Sequence, residues 1–126
     1  MQKTNARVAM MAAISLTLIT TTHAAVNPTV ETQVQNYFRD APVMVRIAKC
    51  ESGFVHYDPS RPDGVLKNPN SSARGVFQIL TSAHGKRAKR LGHDLWTLEG
   101  NLAYAKYLYR QNGTRDWNAS RHCWGK

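Results

Sequence analysis

The sequence predicts a mainly α-helical single domain, with an α+β arrangement as the alternative, in which about five helices surround one long irregular segment. Apolar residues recur at helical spacing on both sides of residues 55–75. Within that segment three prolines, Gly64 and several Asn and Ser residues interrupt the spacing. A chain of 126 residues has room for one such domain and a short leader.

Residues 1–24 are predicted to be a secretory signal peptide. Lys3 and Arg7 give the start a positive charge, an uncharged apolar stretch follows, and Ala24 supplies the small residue needed at a cleavage site. The apolar stretch is too short and too rich in Ser and Thr to cross a bilayer, so we expect no transmembrane span. A buried N-terminal helix is the alternative interpretation. On the first interpretation, residues 25–126 form an exported domain, either periplasmic or secreted.

The chain is strongly basic, with a formal net charge of +9 at pH 7. Loss of the leader would remove two of these positive charges and leave the domain basic. Such a charge favours acidic partners, which for an exported protein are anionic envelope polymers rather than nucleic acid. The basic run at residues 86–90 is interpreted as a solvated helix face that contacts such polymers. We expect a monomer that binds no nucleic acid.

Two helices are predicted before the irregular segment. Residues 30–38 carry apolar side chains at helical spacing. Pro42 suits the first turn of a second helix, which should run to about Glu51 and stop at Gly53. The apolar face of this second helix is expected to contain Val43, Ile47 and Cys50.

The rest of the chain predicts a loop and two further long helices. Residues 55–75 form a long loop, with a short β-hairpin around Gly64, before an apolar return to the core that ends at Leu80. Thr81 is interpreted as the N-cap of the next helix. The last long helix spans residues 98–111, and a short tail with two tryptophans follows.

The two cysteines, Cys50 and Cys123, fall within the domain. In an oxidising compartment two thiols in a small exported domain often pair. The pair would close a loop that stabilises the fold by about 4 kcal/mol in the loop-entropy model. Two buried free thiols are the alternative. We expect the disulfide.

Glu51 is the first candidate for catalysis. It stands at the C-terminal end of an apolar helix, where the partial negative charge of the helix disfavours a carboxylate. Apolar neighbours disfavour the charge further through desolvation. Both effects raise the pKa, as a general acid near neutral pH requires. A solvated glutamate at a helix end is the alternative interpretation.

Other polar residues interrupt apolar segments. Gln78 lies within a buried run, where an unsatisfied amide would cost on the order of 1–3 kcal/mol. Its partner is expected to be either a sugar amide or the Glu51 carboxyl, and a core amide bonded to the backbone is the alternative. Asn101, Tyr104 and Tyr107 place polar tips on the last long helix, for which plain core packing is the alternative.

Three segments occur in order: Glu51-Ser52-Gly53-Phe54, then Gly75-Val76-Phe77-Gln78-Ile79, then Asn101 with Tyr107-Leu108. Together they resemble the lytic transglycosylases of the soluble-lytic type, within the lysozyme-like superfamily. The small size, two cysteines and Trp-rich end are also similar to resuscitation-promoting factors. The resemblance implies a lysozyme-like single domain, with a long loop or short β-hairpin between the catalytic helix and the Gly-x-x-Gln segment.

The same resemblance implies that the chain cleaves peptidoglycan glycan strands between N-acetylmuramic acid and N-acetylglucosamine. Glu51 would act as acid and then as base, forming 1,6-anhydromuramic ends, so that one carboxyl suffices. No metal and no cofactor are predicted. The residues predicted to bind substrate are Ser52, Ser72, Gln78, Asn101, Tyr104 and Tyr107.

One departure from the family pattern and two alternative functions remain. Where the family places Ala-Tyr-Asn, with its Tyr near the catalytic Glu, residues 117–120 of this chain are Trp-Asn-Ala-Ser. Asp58 or Asp63 could serve as a second carboxylate, which would make the protein a hydrolytic muramidase. A non-catalytic basic protein on the same fold would instead bind envelope glycans, with tryptophans such as Trp96 stacking on sugars.

Overall fold

The structure is a computed structural model that describes residues 27–126. The predicted signal peptide therefore lies outside the described residues. The elements in chain order are α1 (Val30–Tyr37), α2 (Pro42–Ser52), β1 (Ala73–Arg74), β2 (Ile79–Leu80), α3 (Thr81–Arg90), α4 (Leu98–Asn112), a 3-10 helix (Arg115–Ser120) and α5 (Arg121–Trp124). Five α-helices and one small sheet in this part of the chain confirm the mainly α class. No helix among the described residues is long and apolar enough to cross a membrane.

Helices α1 and α2 begin and end close to the predicted residues. Thr29 caps α1, and its hydroxyl accepts a hydrogen bond from the N–H of Thr32 at 3.2 Å. Pro42 occupies the first turn of α2, where its missing N–H removes no helical hydrogen bond. Gly53 ends α2 in the left-handed conformation, with φ of 61°. Local sequence therefore determines the ends of both helices.

The buried face of α2 is rotated slightly from the predicted one. Val43 and Cys50 are only partly buried, although both pack against the core. Cys50 faces the C-terminal segment because it is bonded to Cys123, with the two Cα atoms 6.0 Å apart, and the predicted disulfide is confirmed. The fully buried residues of α2 are Met44, Ile47 and Ala48.

Residues 55–75 are largely irregular, as predicted, but the main strand pairing is displaced from Gly64. Around Gly64 there is a single antiparallel bridge, between Tyr57 and Val65. The two-stranded antiparallel sheet forms between β1 and β2, with Ala73 opposite Leu80 and Arg74 opposite Ile79. Residues 75–78, here called the 75–78 turn, connect these strands. The Gly-x-x-Gln segment is therefore the turn of a tight hairpin as well as an apolar return to the core.

Helix α3 starts directly from β2. The prediction that Thr81 caps this helix is wrong, because Thr81 is its first residue and its hydroxyl donates to the carbonyl of Ser72 at 2.9 Å. Helix α4 follows Thr97, whose hydroxyl accepts a hydrogen bond from the N–H of Gly100. It ends at Gly113, where φ is 62° and a residue without a Cβ is favoured.

The C-terminal segment is more ordered than the predicted tail, because it folds into the 3-10 helix and α5. Trp117 and Trp124 are both buried, and the indole of Trp124 donates to the carbonyl of Trp117 at 3.0 Å. Arg46 of α2 donates to the carbonyl of Trp124 at 3.1 Å. These contacts and the disulfide hold the segment against α2, which brings its residues to the end of the helix that carries Glu51.

One hydrophobic core joins α1, α2, the 75–78 turn and α4. Phe77 of the turn packs edge to face on Phe38, with ring centroids 5.2 Å apart. Its ring also lies 5.8 Å from that of Trp117. Phe77 therefore connects the N-terminal helices to the C-terminal segment, and the turn that carries it is fixed on both sides.

Candidate active site

Glu51 lies in the last turn of α2, partly buried, beneath the C-terminal segment. The hydroxyl of Ser120 donates a hydrogen bond to its Oε1 atom. Ser120 reaches this position because Cys123, three residues further on, is bonded to Cys50 next to Glu51. The set Glu51, Ser120 and Trp124, here called the Glu51 corner, is thus assembled by the disulfide.

The hydroxyl of Ser120 has a choice of acceptors. Its oxygen accepts a hydrogen bond from the indole N–H of Trp124 at 3.1 Å. Its single proton lies within reach of both the Glu51 carboxyl and the carbonyl of Trp117, the latter at 3.1 Å. When Glu51 is ionised, Ser120 donates to the carboxylate. When Glu51 is protonated, Ser120 can turn to Trp117 and accept a proton from the acid. The corner therefore accommodates both protonation states of the carboxyl.

The electrostatic setting of Glu51 favours its neutral form. Desolvation by burial raises the pKa of Glu51, and the hydrogen bond from Ser120 opposes this with a smaller effect. None of the ion pairs found among residues 27–126 includes Glu51. A partly buried carboxyl whose pKa is raised, and which has no cationic partner among the described residues, is a candidate proton donor.

Ser52 connects α2 to the 75–78 turn. Its hydroxyl lies 3.1 Å from the carbonyl of Ala48 and 2.8 Å from the carbonyl of Val76, and it can donate to either. The second contact joins residues 24 positions apart and holds the turn beside the end of α2. These contacts give Ser52 a structural role. They do not test its predicted role in substrate binding, which stays a prediction.

Gln78 ends the turn in an unusual backbone conformation. Its φ is 47°, a left-handed value that costs a non-glycine residue about 1–2 kcal/mol. Its side-chain amide nitrogen donates to the carbonyl of Gly75 at 2.9 Å. Its side-chain oxygen accepts no hydrogen bond from the described residues. Gln78 and Trp117 line one small cavity of about 30 Å³. Phe54, just after Glu51, is the other described non-glycine residue with positive φ, at 63°.

Strain of this kind persists only where surrounding contacts impose it, and it concentrates at functional sites. Both strained residues belong to the motifs that the sequence singles out, one after Glu51 and one in the 75–78 turn. Trp117 contacts the turn, since its indole donates to the carbonyl of Phe77 at 3.0 Å, and the 3-10 helix that contains it also carries Ser120. The structure thus brings Glu51 and Gln78 to the same C-terminal segment.

Asn101 lies in a fully buried polar cluster, the buried hub, formed with His56 and Gly75. Its Oδ1 atom accepts a hydrogen bond from the N–H of Phe77 at 3.1 Å. Its Nδ2 atom donates to the carbonyls of Arg74 and Leu95, each at 3.2 Å. Both Asn101 and His56 have no exposed surface. Asn101 therefore positions the turn, and no part of its amide is open to a ligand.

His56 completes the buried hub as a neutral ring. Its Nδ1 atom accepts a hydrogen bond from the N–H of Val76 at 3.2 Å, so that nitrogen carries no proton. Its Nε2 atom lies 3.2 Å from the carbonyl of Trp96 and must donate, because a carbonyl only accepts. Burial lowers the pKa of His56, and the bond to Trp96 opposes this with a smaller effect. Protonation at Nδ1 would break the bond to the turn.

Gly75 is required by the close approach of this hub. A Cβ atom at this position would lie 2.6 Å from Nδ2 of Asn101 and 2.7 Å from the ring of His56. Its φ of 70° also disfavours any other residue. Glycine at position 75 is therefore required both by packing and by backbone conformation.

The two tyrosines of α4 differ in exposure. Tyr104 is fully buried, and its hydroxyl lies 3.1 Å from Nδ1 of His84. Tyr107 is partly buried and stacks on Tyr104, with ring centroids 5.5 Å apart. Burial raises the pKa of Tyr104 and lowers that of His84, while Asp116 opposes the change at His84. His84 and Asp116 line the same small cavity as Gln78, so the hydrogen-bonded pair of Tyr104 and His84 lies beside that cavity.

The remaining candidates lie in the loop. The hydroxyl groups of Ser72 and Ser82 form a hydrogen bond of 2.8 Å, and the hydroxyl of Ser72 also accepts one from the backbone N–H of Ser82. These bonds join the loop to the start of α3. Asp58 accepts hydrogen bonds from the N–H and hydroxyl of Ser60. Asp63 forms ion pairs with two arginines, Arg61 and Arg74. Neither aspartate forms a hydrogen bond or ion pair with Glu51 in the part of the chain that the structure describes.

Hydrogen bonds and nearby positive charges stabilise the ionised form of Asp63. The pKa of Asp63 is lowered, first by the backbone N–H of Val65 and then by the charges of Arg74 and Arg61. Two nitrogen atoms of Arg74, Nε and Nη1, are buried without a partner among the described residues. The ion pair between Asp63 and Arg74 nevertheless connects the loop to β1.

Sequence reasoning missed two residues of these clusters, Ser120 and His56. Nothing in the spacing of Ser120 indicates contact with Glu51, but the expected disulfide places it three positions before Cys123, and that proximity was a usable signal. His56 lies in the irregular segment, and nothing in its spacing distinguishes it from a solvated loop histidine. Among residues 27–126 no group of three or more metal-binding side chains occurs.

Comparison with known proteins adds no relative. No protein-family model matches the chain, and neither the curated proteins nor the solved structures include a significant match.

Proposed function

We propose that the protein is an exported lytic transglycosylase with a lysozyme-like domain that cleaves peptidoglycan glycan strands. The proposal depends above all on one observation: the Glu51 carboxyl is partly buried, has no cationic partner among the described residues and bonds to Ser120. The ordered motifs around residues 51, 78 and 101, which resemble that family, supply the substrate class.

In the proposed first step, protonated Glu51 donates its proton to the oxygen that links N-acetylmuramic acid to N-acetylglucosamine. The bond from the muramic C1 carbon to that oxygen breaks, and positive charge develops at C1. The acetamido group of the substrate stabilises this centre, which removes the need for a second carboxylate. Ser120 stabilises the carboxylate that Glu51 becomes, because its hydroxyl proton can turn from Trp117 to Glu51.

In the second step the ionised Glu51 takes the proton of the muramic C6 hydroxyl. The C6 oxygen then bonds to C1, which closes a 1,6-anhydro ring and returns Glu51 to its acid form. Atoms balance without water, metal or cofactor. Asp58 and Asp63 are each engaged within the loop, which favours this single-carboxylate route over a hydrolytic one.

Gln78 is proposed to hold the sugar at the reacting bond. The amide N–H of Gln78 is bonded within the turn, which leaves its carbonyl oxygen to accept a hydrogen bond from a sugar amide. The buried hub fixes the backbone of the turn, so the amide is positioned before substrate arrives. Tyr107 and Ser72, both partly exposed, are further proposed contacts.

The experiment is digestion of purified peptidoglycan by the oxidised protein and by its Glu51→Gln variant, with products identified by mass spectrometry. We expect muropeptides lighter by one water than hydrolysed ones, and a loss of at least about 100-fold in rate in the variant, because a general acid contributes about 10²–10⁴-fold. Glu99→Gln, the same change at an exposed carboxyl, is the control and should cleave normally.

Each other outcome has a definite meaning. Hydrated products would replace the lytic mechanism with hydrolysis on the same site. Full activity in a folded Glu51→Gln variant would overturn the catalytic role. Tight binding to peptidoglycan with no cleavage by any form would favour the non-catalytic glycan-binding alternative.

A further inference from the structure

A second concave surface lies away from the Glu51 corner, between α3 and the segment that follows it. This groove encloses about 540 Å³ and shares no residue with the Glu51 corner or the cavity of Gln78. Its walls include Gly85, Lys86 and Lys89 from α3 and Asp94 and Trp96 from the following segment. The proposed cleavage uses none of these side chains.

Gly85 leaves one wall of the groove open. It lies in the interior of α3, where glycine is less stable than alanine by about 0.5–1 kcal/mol. No packing contact explains its presence, because the nearest atom to a Cβ built there is the Cβ of Thr81, 3.9 Å away. Its backbone does not need a positive φ either. The missing side chain therefore widens the groove at a cost to the helix.

Trp96 supplies an aromatic surface that is 40% exposed. Its backbone is fixed, since its N–H donates to Asp94 at 3.0 Å and its carbonyl accepts a hydrogen bond from the buried His56. An exposed indole on a fixed backbone, beside an open wall, is suited to stacking against the apolar face of a sugar ring.

The α3 side of the groove is positively charged, while Asp63 bonds to the side chain of Trp96 on the other side. Lys86 and Lys89 are exposed, and neither takes part in an ion pair among residues 27–126. Helix α3 contains no acidic residue. Asp94 is the acid on the groove wall, and its carboxylate already accepts the N–H of Trp96. Two free ammonium groups beside an indole complement a sugar that carries carboxylates.

We infer that this groove binds an acidic glycan, a sugar chain whose units bear carboxylates, at a site separate from cleavage. Trp96 stacks on one ring while Lys86 and Lys89 pair with carboxylates at either side. The inference rests on the proposed function only for placing the chain in the cell envelope. A bound acidic glycan would hold the enzyme at its polymer while Glu51 acts elsewhere.

The test uses a hexamer of galacturonic acid as the probe and a neutral chitin hexamer as its uncharged counterpart. Titration calorimetry is carried out on the oxidised Glu51→Gln protein, so that nothing is cleaved. We expect saturable binding of the acidic hexamer, and about tenfold weaker binding in Lys86→Gln/Lys89→Gln, since exposed pairs contribute up to about 1 kcal/mol each. Arg87→Gln/Arg90→Gln removes the same charge from other positions of α3 and should bind nearly normally.

Two further variants test the groove itself. Trp96→Ala should weaken binding about tenfold or more, and Gly85→Leu should abolish it while raising the stability of α3. Equal losses in the lysine and arginine pairs, or equal binding of a DNA oligonucleotide, would reveal general attraction to polyanions and overturn the inference. Absence of binding in a protein whose wild type still cleaves peptidoglycan would overturn the inference and leave the proposed function standing.

Discussion

The buried hub and the Glu51 corner differ in how completely hydrogen bonds satisfy their polar groups. In the hub, His56 and Asn101 are wholly buried and each ring nitrogen or amide atom has a partner. In the corner, Glu51 has one protein hydrogen bond and Ser120 must choose between acceptors. A satisfied network fixes the backbone, whereas an incompletely satisfied one leaves a proton free to move.

This difference gives each cluster a different expected response to change. Damage to the hub should lower stability, because buried groups would lose partners that no water can replace. Loss of charge in the corner should lower activity and raise stability, because the carboxylate there is held in a setting that disfavours it. Four predictions test this division.

The largest expected effect follows removal of the disulfide that assembles the corner. In Cys50→Ser/Cys123→Ser the free energy of unfolding should fall by about 4 kcal/mol, because the closed loop has a sequence separation of 73 residues. Urea denaturation measures the change, and wild type treated with reductant is the matched control. A loss below about 1 kcal/mol would mean that the tryptophans and Arg46 hold the segment by themselves.

The next effect concerns the close approach in the hub. Gly75→Ala should cost about 3 kcal/mol or more, since it combines left-handed strain with contacts below 3 Å to Asn101 and His56. Gly64→Ala is the control, because Gly64 has a similar φ of 65° but open space around its Cβ position. Its cost should be about 1–2 kcal/mol. Equal losses in the two variants would show that conformation alone, and not the hub, requires Gly75.

The contrast also explains what the sequence could and could not predict. Pro42, Gly53 and Gly113 mark helix ends through local chemistry, so those bounds were predictable. The disulfide was predictable from composition and compartment. The 3-10 helix and α5 were not, since one turn of helix carries no visible periodicity.

For the candidate site, the sequence identifies Glu51 and Gln78 but not their neighbours. His56 looks like any loop histidine, because its partners are backbone groups of Val76 and Trp96 that no side-chain pattern records. Asn101 was predicted to bind substrate and lies instead at full burial under the turn. Long-range contacts between side chain and backbone leave little trace in spacing, and both polar side chains of the hub depend on them.

The third prediction uses pH to probe the hub. Burial lowers the pKa of His56 below its ordinary value of 6.5. At a pH between these two pKa values, His56 is mostly protonated in the unfolded chain and mostly neutral in the native one. Stability should therefore fall as pH drops below about 6.5. His84, whose pKa is lowered as well, adds a slope of the same sign.

The variant His56→Gln separates the two histidines. Its stability should be lower at every pH, so the informative quantity is the slope of the unfolding free energy between pH 7 and pH 5, measured by urea denaturation. That slope should be smaller than in wild type, while His122→Gln, a change at an exposed ring, should leave it unchanged. An unaltered slope in His56→Gln would contradict a neutral His56 as the proton-sensitive part of the hub.

The smallest effect, and the sharpest contrast with the hub, is a gain in stability at Glu51. Desolvation raises the pKa of Glu51, so between the unfolded value of 4.5 and the native value the folded chain holds the extra proton. Stability from this group is complete below pH 4.5 and is lost as pH rises through the native pKa.

Glu51→Gln cannot ionise, and its amide oxygen can still accept the hydrogen bond from Ser120. The variant should therefore melt higher than wild type at pH 7 and nearly the same at pH 4, and the gain should be small because solvent still reaches the carboxyl. Glu99→Gln, at an exposed carboxyl, should show no such crossover. If Glu51→Gln were instead less stable at pH 7, the carboxylate would be a favoured structural partner of Ser120, and the corner would resemble the hub.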